Sequence, residues 1–79
     1  MPLSKNELEL LACMFDRHII NKRHMPVEAI ARFCGGSKKR VKKRLQKLAQ
    51  KGYIHRVKSS SYSLTMELGV PAARKYLDK

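Results

Sequence analysis

The stretch from Ala29 to Met66 carries eleven Lys or Arg residues and no Asp or Glu, whereas the remainder holds seven bases against six acids. Nearly all of the formal +12 charge of this 79-residue chain therefore sits in one block. A positive field confined to one stretch becomes one face of a small fold and attracts a polyanion, nucleic acid above all.

The block is densest between residues 38 and 47, where seven of ten residues are basic. It is not a featureless tail, because Val41, Leu45 and Leu48 recur at the helical period and make one apolar stripe on an otherwise charged helix. The opposite side carries Lys39, Lys43, Gln46, Lys47 and Gln50. Lys38 to Lys42, Lys39 to Lys43, Arg40 to Arg44 and Lys43 to Lys47 are like-charge pairs four residues apart, each unfavourable by roughly 0.2 to 0.5 kcal/mol. Lys38, Lys39 and Arg40 also occupy the first turn, where the helix dipole favours acids. A solvated face ordinarily mixes both signs, and within the block no carboxylate relieves the repulsion. A helix that breaks local rules in this way marks function.

The length bounds the rest. The chain reads as one domain over residues 1–79, and a core this small leaves no room for an elaborate catalytic cleft. The carboxylates Glu7, Glu9, Asp16, Glu28, Glu67 and Asp78 are scattered, and no Ser-His-Asp or Cys-His pattern stands out, so enzymatic activity is not expected. Cys13, Cys34, His18, His24 and His55 lack the spacing of a zinc site, and no metal or cofactor is expected. Two cysteines are too few for a disulfide scaffold, and both read as buried thiols acting as small hydrophobes. With no long apolar run and no signal-peptide pattern at the N-terminus, the expectation is a cytoplasmic, nucleoid-associated protein without a membrane partner.

Local signals divide the chain into elements. Ser4 and Glu7 fit a capping box, with Leu3 and Leu8 placed for a hydrophobic staple, opening a helix from about Lys5 to Ile20. Leu8, Leu11, Ala12, Phe15 and Ile19 line one face of it, and Leu10 and Met14 a second that needs its own cover. Pro26 suits the first position of a short second helix ending at Gly35-Gly36, with Val27, Ile30, Ala31 and Cys34 as its apolar side. Ser37 caps the basic helix and Gly52 ends it. Tyr53 to Lys58 reads as a strand, Ser59-Ser60-Ser61 as a turn, and Tyr62 to Thr65 as the returning strand. A last helix starts near Val70, with Ala72, Ala73, Tyr76 and Leu77 as its apolar side, because Pro71 cannot lie deep inside one.

This order resembles a winged helix-turn-helix domain: an α+β fold of three helices, a two-stranded hairpin wing and a short C-terminal helix. Val27-Glu28-Ala29-Ile30-Ala31 looks like its short second helix. Leu45-Gln46-Lys47-Leu48-Ala49-Gln50-Lys51-Gly52-Tyr53-Ile54 resembles the exit of its recognition helix, and Tyr62-Ser63-Leu64-Thr65 with Gly69 resembles the wing ending of small MarR-like, PadR-like, archaeal and viral regulators. The resemblance covers about residues 5 to 78. These residues depart from full-length regulators in lacking the long flanking helices that build their dimer interface, and they show no sign of a ligand-binding domain.

The resemblance implies double-stranded DNA as partner, with residues 37–51 in the major groove and the wing, residues 55–62, on backbone or minor groove. Carried over residue by residue, the DNA-binding set is Ser37, Lys38, Lys39, Arg40, Lys42, Lys43, Gln46 and Lys47 on the helix, with Arg56, Lys58, Ser59 and Ser60 on the wing. Ser37 could also donate to a phosphate at the helix N-terminus. Lysine favours phosphate, whereas Arg, Asn and Gln read bases bidentately, and on the exposed face Arg40, Gln46 and Gln50 have that capacity. Strong, salt-sensitive binding with modest sequence discrimination is expected, as in a small transcriptional regulator. The alternative is an RNA-binding winged helix of ribosomal or RNA-processing kind, and a third reading is a basic helix that meets an acidic protein. A homodimer through Leu10, Met14, Tyr76 and Leu77 stands beside a monomer whose last helix folds back over the first.

Overall fold

A computed structural model describes residues 3–58 and 61–78. Four helices, α1 (Lys5–Asp16), α2 (Val27–Cys34), α3 (Lys38–Gln50) and α4 (Gly69–Leu77), combine with three strands, β1 (Met25–Pro26), β2 (Ile54–Val57) and β3 (Ser61–Leu64). The strands form one antiparallel sheet in the order β1-β3-β2. The architecture is α+β, with a β2-β3 hairpin in which Ile54 faces Leu64 and Val57 faces Ser61.

The capping box at α1 is present in full. The Ser4 hydroxyl accepts the Glu7 N–H at 3.2 Å, and the Glu7 carboxylate accepts the Ser4 N–H at 3.0 Å. The helix ends at Asp16, four residues before the expected Ile20. His18 has a φ of +59°, so its N–H returns to Phe15 O and that of Ile19 to Met14 O, a left-handed stop that seals two orphan carbonyls. Ile19 is thereby folded onto Met14, and both are buried in the core. The next residues run along β3, with Leu64 N–H donating to Ile19 O and Asn21 N–H to Leu64 O.

Pro26 is not the first residue of α2 but its N-cap, with extended backbone, because it belongs to a strand absent from the sequence reading. Met25 and Pro26 pair with Tyr62 and Ser61, making the hairpin the larger part of a three-stranded sheet. The hairpin strands are also shifted from expectation. Tyr53 precedes β2, Ser61 belongs to β3 and not to the turn, and Thr65 lies beyond β3.

Thr65 ties the exit of α3 to the start of α4. Its hydroxyl donates to Gly52 O at 2.8 Å and accepts the Gly69 N–H at 2.9 Å, giving α4 the cap that Leu68 cannot supply. Gly69 is the first residue of α4 and sits against the Tyr53 carbonyl, where a Cβ would collide. Pro71 therefore falls within the first turn, where it is tolerated.

The core joins all four helices to the sheet. Leu11, Met14, Ile30, Leu45, Leu48 and Leu64 are fully buried, with Tyr62 and Val41 nearly so. The stripe Val41, Leu45, Leu48 is thus the inward face of α3. α4 packs along α1, and of the four residues expected at a dimer seam Leu10 and Met14 lie inside this chain's own core. Tyr76 is half-buried and Leu77 exposed.

The reading of Cys13 and Cys34 as thiols is overturned. They form a disulfide, with Cα atoms 5.9 Å apart, joining α1 to the last residue of α2. The two residues sit on neighbouring helices at the separation a disulfide requires.

Candidate nucleic-acid interface

α3 owes its orientation to three side chains and its charge to the others. With Val41, Leu45 and Leu48 turned inward, Lys38, Lys39, Arg40, Lys42, Lys43, Gln46, Lys47 and Gln50 are all exposed. Arg44 is half-buried on the flank beside Glu9 and Asn6 of α1. Lys51, just past the helix, reaches Glu7 at 3.6 Å. The outward face of α3 is a run of cations and amides about 20 Å long, from 13 residues rising 1.5 Å each.

Its N-terminus is built as expected in part. The Ser37 hydroxyl accepts the Arg40 N–H at 3.2 Å, which commits its oxygen to capping and leaves its hydrogen to donate outward. The expectation that no carboxylate relieves the repulsion is corrected here. Lys38 Nζ lies 2.9 Å from Glu28 Oε1. Glu28 lies just before the acid-free block, but the α2-α3 turn folds it back beside the start of α3. The hydrogen bond from Lys38 and its charge hold the Glu28 carboxyl below the usual range. Both side chains are largely exposed, so the pair is weak and salt-labile. Glu28, Lys38 and Lys42 share one shallow cleft with Pro26 and Val27.

At the other end of the helix an open groove of about 390 Å³ separates α3 from the hairpin, lined by Gln46, Ala49, Gln50, Arg56 and Tyr62. The fold thus brings Arg56 of β2 to the same groove as Gln46. Arg56 Nε donates to Lys58 O at 3.3 Å, and Lys58 has a φ of +59°, so the guanidinium is tied to the hairpin's own turn. Such a tie reduces the side-chain entropy lost on binding. Tyr62 is only 1% exposed, and it fixes the groove floor by packing into the core. Gln50 enters through its four-residue spacing from Gln46, a signal visible in the sequence. Glu28 and Tyr62 enter through tertiary proximity alone.

Of the twelve expected contact residues, the eight on α3 and its cap share one end-to-end face, and Arg56 and Lys58 are exposed on the hairpin. Ser59 and Ser60 lie outside the described residues. No protein-family model, curated protein or solved structure matches the chain. What the face can do follows from its own chemistry. Lysines at spaced positions are able to neutralise phosphates, while the two glutamines offer a donor-acceptor fork and Arg56 a donor fork of the kinds that fit base edges.

Proposed function

We propose that the chain is a double-stranded DNA-binding domain of winged helix-turn-helix kind, acting as a small transcriptional regulator. In this reading α3 enters the major groove and the β2-β3 hairpin acts as the wing on backbone or minor groove. The observation that carries the reading is the outward face of α3. Lys39, Arg40, Lys42, Lys43 and Lys47 are exposed together, and none of them pairs with a carboxylate among the described residues. A helix about 10 to 12 Å across with side chains fits a major groove about 12 Å wide. The groove between α3 and the hairpin supports a second contact along the same duplex. Lys39, Lys42, Lys43, Lys47 and Lys58 act as phosphate contacts, and Arg40, Gln46, Gln50 and Arg56 as the residues able to read bases.

Single-stranded RNA is recognised mainly by stacking bases on exposed aromatic rings. Here Tyr62 is buried and Tyr53 half-buried against the core, and the exposed Phe33 lies on α2, not α3, with the Arg17 guanidinium 4.7 Å from its ring centre. The charged face carries no aromatic platform among the described residues, which favours duplex DNA over RNA. The test is competition between a DNA duplex, single-stranded DNA and structured RNA for the same labelled duplex. The reading predicts that unlabelled duplex displaces the probe at the lowest concentration. Preferential displacement by RNA would overturn it.

A further inference from the structure

The disulfide lies at a corner where few side chains reach the core. α2 is held at its start and middle by Val27, Ile30 and Ala31, all buried. At its last turn Arg32 and Phe33 are exposed, leaving Cys34 as the final residue facing the core. Gly35 and Gly36 follow with φ of +79° and +99°, both exposed and without side chains, and Gly35 has no heavy atom within 4 Å of where a Cβ would stand. Ser37 then opens α3, whose first turn carries Lys38, Lys39 and Arg40. At this corner α1, α2 and α3 enclose an open depression of about 160 Å³ bordered by Asn6, Glu9, Leu10, Cys34, Val41 and Arg44. Between Ala31 and Val41 the Cys34 to Cys13 bond is the one covalent cross-link, beside the Arg17 contact with Phe33 and the exposed Lys38–Glu28 pair.

We propose that the Cys13–Cys34 disulfide controls the aim of the basic helix, so that thiol redox state regulates nucleic-acid binding. The proposal rests on the DNA-binding reading of α3 but concerns its regulation. A dithiol reductant opens the bond by thiolate attack. It ends as its own disulfide, while Cys13 and Cys34 take up two electrons and two protons as thiols. Once the tie is gone, the glycine turn and the mutual repulsion of the first α3 cations let the corner open. The cost of ordering it then falls on DNA binding.

The experiment compares the oxidised chain, the same chain reduced with a water-soluble phosphine, and a Cys13→Ala, Cys34→Ala double variant, all at a temperature where far-ultraviolet circular dichroism shows them folded. Amide hydrogen exchange reads the corner without DNA, and a duplex titration reads binding. The expected result is faster exchange at residues 34–40, with the hairpin unchanged, and duplex affinity lowered roughly threefold to thirtyfold in both bond-free forms. Unchanged exchange at the corner, or faster exchange there with unchanged affinity, would overturn the proposal. So would bond-free forms that circular dichroism shows unfolded at every temperature tried, which would make the bond a requirement of the fold and not a control on one corner. If the oxidised chain binds no duplex, the DNA-binding reading fails, while the exchange data still report on the corner.

Discussion

Glu7 shows how one residue can serve two interactions. Its carboxyl is held below the ordinary glutamate value first by the Ser4 N–H, then by the Ser4 hydroxyl and Lys51, against the opposing effect of burial. A carboxyl depressed in the folded state stabilises the fold above its unfolded value, about 4.3, and loses that contribution as pH falls through its folded value. Glu7→Gln keeps the shape but removes the charge. Urea unfolding should show the variant about 1 kcal/mol less stable at pH 7, with the difference shrinking by pH 3. A pH-independent difference would show that the ionised form has no special role. Thr65 matters in another way, because a valine of the same shape could neither donate to Gly52 O nor cap Gly69.

Two helices end with the same device. After α3, Gly52 has a φ of +88°, its N–H returning to Ala49 O and that of Tyr53 to Leu48 O. After α1, His18 and Ile19 repeat the pattern. Glycine advertises its left-handed conformation and histidine does not, so the stop at Gly52 was legible and the one at His18 was not. His18→Gly should raise stability by up to about 1 kcal/mol. Gly52→Ala should lower it by more than 1 kcal/mol, since its Cβ would also stand 2.9 Å from Leu68 Cδ1. Thermal melts of the two variants check the opposite signs.

The basic helix, its apolar stripe, its Ser37 cap and the hairpin were readable because periodicity and turn chemistry are local. β1 is two residues long, too short to alternate, and exists because β3 accepts it. The disulfide depends on where two helices meet, which a separation of 21 residues does not disclose. The Glu28–Lys38 pair is of the same kind, formed only when the α2-α3 turn closes. The expected function also sets affinity against stability within α3. Lys39→Ala with Lys43→Ala removes two like-charge pairs, so the variant should melt at the same or higher temperature while losing duplex affinity. A fall in both would mean the lysines serve the fold.

A chain with a formal charge of +12 repels itself, and the fold meets that repulsion in two ways. α3 turns its cations outward, and the disulfide closes a loop between α1 and α2, which the chain-entropy model values at roughly 3 kcal/mol. Reduction should therefore lower the melting temperature by roughly 10 to 20 °C, and added salt should raise it by screening. The disulfide also bears on where the chain works. Disulfides are rare in a reducing cytosol and persist in oxidising compartments and inside hyperthermophilic cells, so whether Cys13 and Cys34 are joined depends on the redox poise around the chain. No helix among the described residues is long and apolar enough to cross a membrane.

The most direct measurement is a duplex DNA titration across a salt series, using the oxidised chain, its Lys39→Ala, Lys43→Ala variant and both a candidate and a random-sequence duplex. With six to eight phosphates neutralised, the logarithm of the association constant should fall against the logarithm of salt with a slope of roughly −5 to −7. The variant should lose affinity on both duplexes and its slope should be shallower by about 2, one unit per lost phosphate contact. A slope near zero, or a variant that binds as well as the parent, would contradict the assignment of α3 as the DNA-binding surface.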